Sequence, residues 1–160
     1  MSIFVQNAPS AIALAVKTSG VWVAWGTGDP SWDSVPVAEP SATTSLIAEV
    51  GRRLASMTEF VVPDSAGAIS VPQGNFSISS TPTSSLYVRC NFANDDAVGL
   101  SIRESAAFIG TKVKPSVPVG TDYFTPDQLD SFGVMLILSR FAKIERTSAF
   151  SASLEFVVNL

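Results

Sequence analysis

Histidine is absent from these 160 residues, and cysteine occurs once, at Cys90. The first absence removes histidine-assisted acyl transfer and histidine-containing metal sites; the second removes intrachain disulfides and fits synthesis in a reducing cytoplasm. Basic clusters are also scarce: nothing exceeds Arg52-Arg53, and 10 basic against 14 acidic residues leave a net charge of −4. Nucleic acid is therefore not expected as a ligand. The longest apolar runs, residues 12–16, 21–25 and 134–138, fall far short of the roughly 20 residues that span a bilayer. Residues 1–7 carry no positive charge for a secretory leader, so a soluble chain without membrane insertion is expected. Periodic repeats and low-complexity tracts are missing too, which excludes a solenoid or fibrous shaft.

What is present is apolar: 46% hydrophobic against 15% charged residues, enough to bury a core in a single domain over 1–160. Alternation is clearest at 86–92, where Leu86, Val88, Cys90 and Phe92 share one face and Arg89 and Asn91 the other. The end of the chain repeats it, with Phe150, Ala152, Leu154, Phe156 and Val158 on one side. Residues 134–141 are apolar on both faces, as in a central strand covered on two sides. Shorter strands are expected at 11–17, 21–25, 60–62, 68–71, 76–79 and 100–108, with turns at 63–67 and 94–99. Many short strands predict a mainly β fold, sandwich or barrel-like.

Two helices are expected. The longer covers about 44–56, with Leu46, Ile47, Val50 and Leu54 on one face; the shorter starts at the cap Thr125 with Pro126 and Gln128 and stops by Gly133. Residues 26–42, rich in Pro, Gly and Trp, read as an ordered loop.

Few residues suggest chemistry. Cys90 lies on an alternating apolar face with no histidine to activate it, which makes it a core residue. The carboxylate pairs Asp29/Asp33, Asp95/Asp96 and Asp127/Asp130 fit turns and a helix start better than a glycosidase or cation site. Gly26-Thr27-Gly28 lacks the further glycine and lysine of a phosphate loop. No cofactor, metal or catalytic residue is expected. Trp22, Trp25 and Trp32 crowd into eleven residues, a density found in cores, at subunit contacts and on sugar-stacking platforms. Arg103-Glu104 sits in a strand whose successive side chains face opposite ways; either one of them points inward or into an interface, or the pair is exposed at a strand end.

The segment from Val98 through Ile102-Arg103-Glu104 to Phe108, preceded by the strand at 86–92, resembles the pattern near the N-terminus of bacteriophage tail-fibre proteins. Val21 to Gly28, followed by Pro30 and Trp32-Asp33, is similar to openings of small phage tail and baseplate proteins. The resemblance implies an attachment domain that docks a fibre or receptor-binding protein onto a baseplate. The chain stops at Leu160 with no shaft or tip, which favours an adaptor or baseplate component over receptor recognition. Other tail or baseplate proteins, a fibre protein and further copies of the chain are the expected partners. The virion is the expected location, after synthesis in the host cytoplasm. Trp22, Trp25, Trp32, Arg103, Glu104 and Tyr123 are the expected interface residues, with sheet edges and the segment 112–123 beside them. The alternatives are a carbohydrate-binding module using the tryptophans and, last, a carboxylate enzyme.

Overall fold

The alternating segments become strands of two antiparallel sheets. In the computed structural model, which describes residue 3, residues 5–35 and residues 37–160, the order along the chain is α1 (Ala8–Ser19), β1 (Val21–Gly26), a 3₁₀ turn (Pro30–Asp33), β2 (Glu49–Leu54), β3 (Met57–Pro63), β4 (Ile69–Val71), β5 (Gly74–Ile78), β6 (Ser85–Phe92), β7 (Ser101–Ile109), β8 (Lys112–Val113), a second 3₁₀ turn (Pro126–Gln128), β9 (Leu129–Ser131), β10 (Val134–Glu145) and β11 (Ala152–Asn159). Pro36, within the loop expected at 26–42, lies outside the described residues, as do Met1, Ser2 and Phe4.

One sheet has the order β10-β7-β1-β2 and the other β11-β6-β3-β5-β4, while β8 and β9 form a small ribbon. Inward side chains of both sheets share one core: Val21, Val23 and Trp25 from β1 meet Phe60 from β3, Leu86, Val88, Cys90 and Phe92 from β6, and Phe156 and Val158 from β11. The mainly β class read from the sequence holds. The β4–β5 hairpin adds a satellite cluster in which Ile69, Val71 and Phe76 pack with Val61, Tyr87 and Val157.

The helix and one strand exchange places relative to expectation. Residues 11–17 belong to α1, because an alanine-rich segment with proline in its first turn buries Ala13 and Val16, three apart, on one helical stripe. Gly20, at φ +78°, ends it, its N–H donating to the Lys17 carbonyl at 3.3 Å. Residues 44–56 form no helix. They hold β2, since pairing with β1 overrides propensity: Gly51 stands opposite Trp25 and leaves room for the Tyr123 ring. A bulge opposite Trp25 and Gly26 brings Glu49 to the face of Arg52, so a spacing that reads as helical is an ion pair on a bent strand, 2.8 Å long.

The strand expected at mid-sheet, β10, is an edge. Its faces are both covered: Leu136, Ile137 and Phe141 pack on the main core, and Met135 and Leu138 on an outer cluster of Trp22, Ala24, Ala106 and Phe108. Among the described residues its order in the sheet gives it β7 as sole neighbour. Double-sided apolarity reports covered faces, and it says nothing of the backbone margin. The short helix expected after Thr125 is the second 3₁₀ turn, and the Thr125 N–H donates to Gln128 Oε1 at 2.9 Å.

Candidate functional site

The first 3₁₀ turn places two of the expected residues. Asp29 accepts from the Ser31 N–H at 2.8 Å and Pro30 presets the backbone, so Trp32 and Asp33 project from a fixed turn. Asp33 receives the Arg103 guanidinium in a fork, Nε to Oδ1 at 2.9 Å and Nη2 to Oδ2 at 2.8 Å. That guanidinium holds the Asp33 carboxyl below the ordinary carboxylate range. Arg103 also donates to the carbonyls of Thr27 and Ser101. Gly28, at φ +56°, makes the arrangement possible, because a Cβ there would lie 2.5 Å from the Trp32 ring and 3.2 Å from Arg103 Cβ.

Arg140 of β10 completes this flank. Its guanidinium lies over the Trp32 ring, 4.3 Å from the centroid. Its backbone N–H donates to Glu39 Oε1 at 3.0 Å, and its Nη1 to the Ala38 carbonyl at 2.9 Å. Its Nε is buried without a partner among the described residues. Lys143 follows, paired to Glu145 at 3.0 Å, while the Ser101 hydroxyl and then Lys143 hold the Glu145 carboxyl low. A groove of about 520 Å³ lies between Trp32, Val37, Arg140, Phe141 and Lys143. A second, of about 360 Å³, lies along Met135–Leu138 beside Glu39, Pro40 and Thr43.

The six expected interface residues do not make one patch. Trp32 and Arg103 meet at the flank. Trp25 is fully buried, stacked on Phe92 at 3.7 Å, and donates through Nε1 to the Tyr123 hydroxyl at 3.0 Å; it offers no surface to a partner. Tyr123 is half-buried beside it. Trp22 stands on the outer face, edge-on to Phe124 at 5.4 Å. Glu104 is also fully buried, accepting through Oε1 from the Ile47 and Ala48 N–H groups at 2.8 and 3.1 Å, while Oε2 has no partner. Arg103 and Glu104 are thus both inside the fold, which overturns the exposed-pair alternative.

Sequence reasoning missed Arg140, Lys143 and Glu39, whose one trace is a charge interrupting the apolar run of β10. It also missed three structural arginines. Arg52 is fully buried between Phe108 and Phe132 and paired to Glu49. Arg53 forks onto the buried Asp96 at 2.6 and 3.0 Å. Arg146 donates to the carbonyls of Asp96, Phe150 and Ala93, and lies over Trp25. Each joins segments remote in sequence, which alternation does not reveal.

The chemistry of these groups is structural. Burial pushes the Cys90 thiol up to about 12, so no thiolate forms at neutral pH. Among the described residues no group of three or more cysteine or acidic side chains is placed to hold a metal ion, and no helix is long and apolar enough to cross a membrane. In the groove of about 370 Å³ beside Trp22 the charged groups are engaged with each other, Arg53 with Asp122 at 2.8 Å and with Asp96.

The fold is a mainly β unit of two sheets sharing one core, with an aromatic and cationic groove beside the edge strand β10. The model of a family described as "Baseplate wedge 3 tail fiber network component" matches residues 1–160. The chain belongs to that family and is a structural component of the bacteriophage tail, at the baseplate and tail-fibre network. No match is found among curated proteins.

Proposed function

We propose that the chain, acting as one β-rich unit over residues 1–160, is a non-enzymatic adaptor that attaches a tail fibre or receptor-binding protein to neighbouring baseplate proteins through protein–protein contacts. The observation that carries this is the flank of β10, where an edge strand, a half-buried tryptophan and two cations lie beside two grooves. Aromatic and arginine anchors in desolvated pockets are the groups that dominate protein interfaces. Binding to further copies of the chain has its own available surface at the corner that Arg146 ties together, where Val98, Leu100, Ile144 and Phe150 are exposed. Synthesis in the host cytoplasm fits the single buried thiol, and neither nucleic acid nor membrane insertion is part of the role. The test is fibre incorporation into virions carrying Trp32→Ala. Particles that retain their baseplates but lose fibres support the adaptor, and full incorporation contradicts it.

A further inference from the structure

We infer that the free margin of β10 takes an additional strand from a partner chain, apolar at alternate positions and bearing a carboxylate at the level of Arg140. In the isolated chain the Glu39 carboxylate occupies that place. This rests on the adaptor reading and specifies its contact.

The backbone geometry comes first. β10 is bonded to β7 on one side only, and the Arg140 N–H donates to Glu39, away from β7. Strand alternation directs the Leu138 N–H and C=O the same way. Register shifts at Met135/Ile137 and Arg140/Ile144 bracket residues 137–140, which are regular and set the length available for pairing.

Protection of this margin is slight. Natural edge strands are blunted by lysine, proline, bulges or cover from another segment, and here the register shifts lie outside 137–140. Residues 134–138 contain neither charge nor proline. Cover is given by residues 37–42, and among the described residues both hydrogen bonds tying that segment to the rest of the fold end on Arg140. A segment held at one residue is readily displaced, and an added strand replaces its bonds with a ladder.

Charge selects the occupant. Among the described residues Arg140 Nε is buried and unpaired, and Lys143 is half-exposed on the same flank. A second copy of β10 would bring another Arg140 and Lys143, with no carboxylate before Glu145. An acidic, otherwise apolar strand supplies what the margin lacks.

The probe is a library of ten-residue peptides selected on the purified full-length chain. Enriched peptides are expected to alternate β-branched residues and to carry one Asp or Glu. The selected peptide should bind Arg140→Glu about tenfold more weakly, and reselection on that variant should replace the acid with Lys or Arg. Glu39→Ala should bind it several-fold more tightly, since the competing carboxylate is gone. Slowed hydrogen exchange at the Leu138 and Arg140 amides on peptide binding places the strand independently of any substitution. Failure to enrich, or binding indifferent to both substitutions, overturns the proposal. So does a dimer of the free chain that protects those same amides, which assigns the margin to a second copy. Fibre loss in Trp32→Ala virions would leave the adaptor standing even where the peptide selection fails.

Discussion

Arg140 lies over Trp32 with its guanidinium 4.3 Å from the ring centroid, and this contact joins the edge strand β10 to a turn more than one hundred residues earlier in the chain. The same turn is locked from beneath by the Asp33–Arg103 fork. Trp32 is therefore placed by two arginines while part of its ring stays accessible. A position fixed by others and left half-exposed suits recognition better than core stability.

Replacing Trp32 with alanine should lower stability by about 2 kcal/mol, the scale of a partly desolvated cation–π contact, while fibre attachment falls sharply. Thermal unfolding of the purified chain, set beside fibre counts on mutant particles, separates the two effects. A large fall in Tm would assign the ring to the core.

Arg53 and Asp96 behave oppositely. Their fork ties β2 to the β6–β7 turn, and Asp96 also accepts from the Ala93 N–H at 2.7 Å. Arg53→Ala leaves a buried carboxylate uncompensated and should destabilise the chain by about 3 kcal/mol. Urea unfolding measures this. The double variant Arg53→Ala with Asp96→Ala should recover part of the loss.

Much of the fold was legible because alternation records which faces are covered. The segment 86–92 and the C-terminal strand were read directly from their apolar positions. Residues 11–17 read as a strand since the six apolar residues 11–16 fit either period, and the deciding feature is Pro9 opening a helix. For β10, the residues encode two covered faces, while its place at the edge depends on which strands pair, a relation between distant segments. The site was half visible for the same reason: Trp32 and Arg103 stood out by type, but Arg140, Glu39 and Lys143 acquire meaning only when β10 is laid beside the loop. Trp25 stands out by its ring and is core, since a tryptophan near a strand end reads alike in either place.

Lowering the pH should cause stability to fall late and then steeply. Asp29, Asp33, Asp64 and Glu145 are all held below their ordinary values of 3.8 for Asp and 4.5 for Glu. A depressed native value contributes stability that is fully present above the unfolded value and is lost as pH falls through the native one. With no histidine in the sequence, the unfolding free energy should be nearly flat from about pH 5 to 8 and decline below about 4. Asp33→Asn should shrink that decline. A step near pH 6 would contradict the assignment.

The alkaline limb belongs first to Cys90. Burial raises its thiol from an ordinary 9.0 to about 12, so the unfolded chain loses that proton before the native one does. Stability is complete below about 9 and drains away between about 9 and 12. The buried tyrosines, raised from 10.0, join later. Cys90→Ala should lose about 1 kcal/mol at neutral pH through poorer packing and yet flatten the curve between 9 and 10. An unchanged slope would place the titration elsewhere.

Fibre attachment through the β10 flank is tested most directly by amine-reactive cross-linking of intact virions followed by peptide mapping. The chain has four lysines, Lys17, Lys112, Lys114 and Lys143, and only Lys143 borders the Trp32 groove. Links from Lys143 to the fibre protein are predicted. Fibre links confined to Lys17, Lys112 or Lys114, with Lys143 reacting freely as a single-ended adduct, would contradict it.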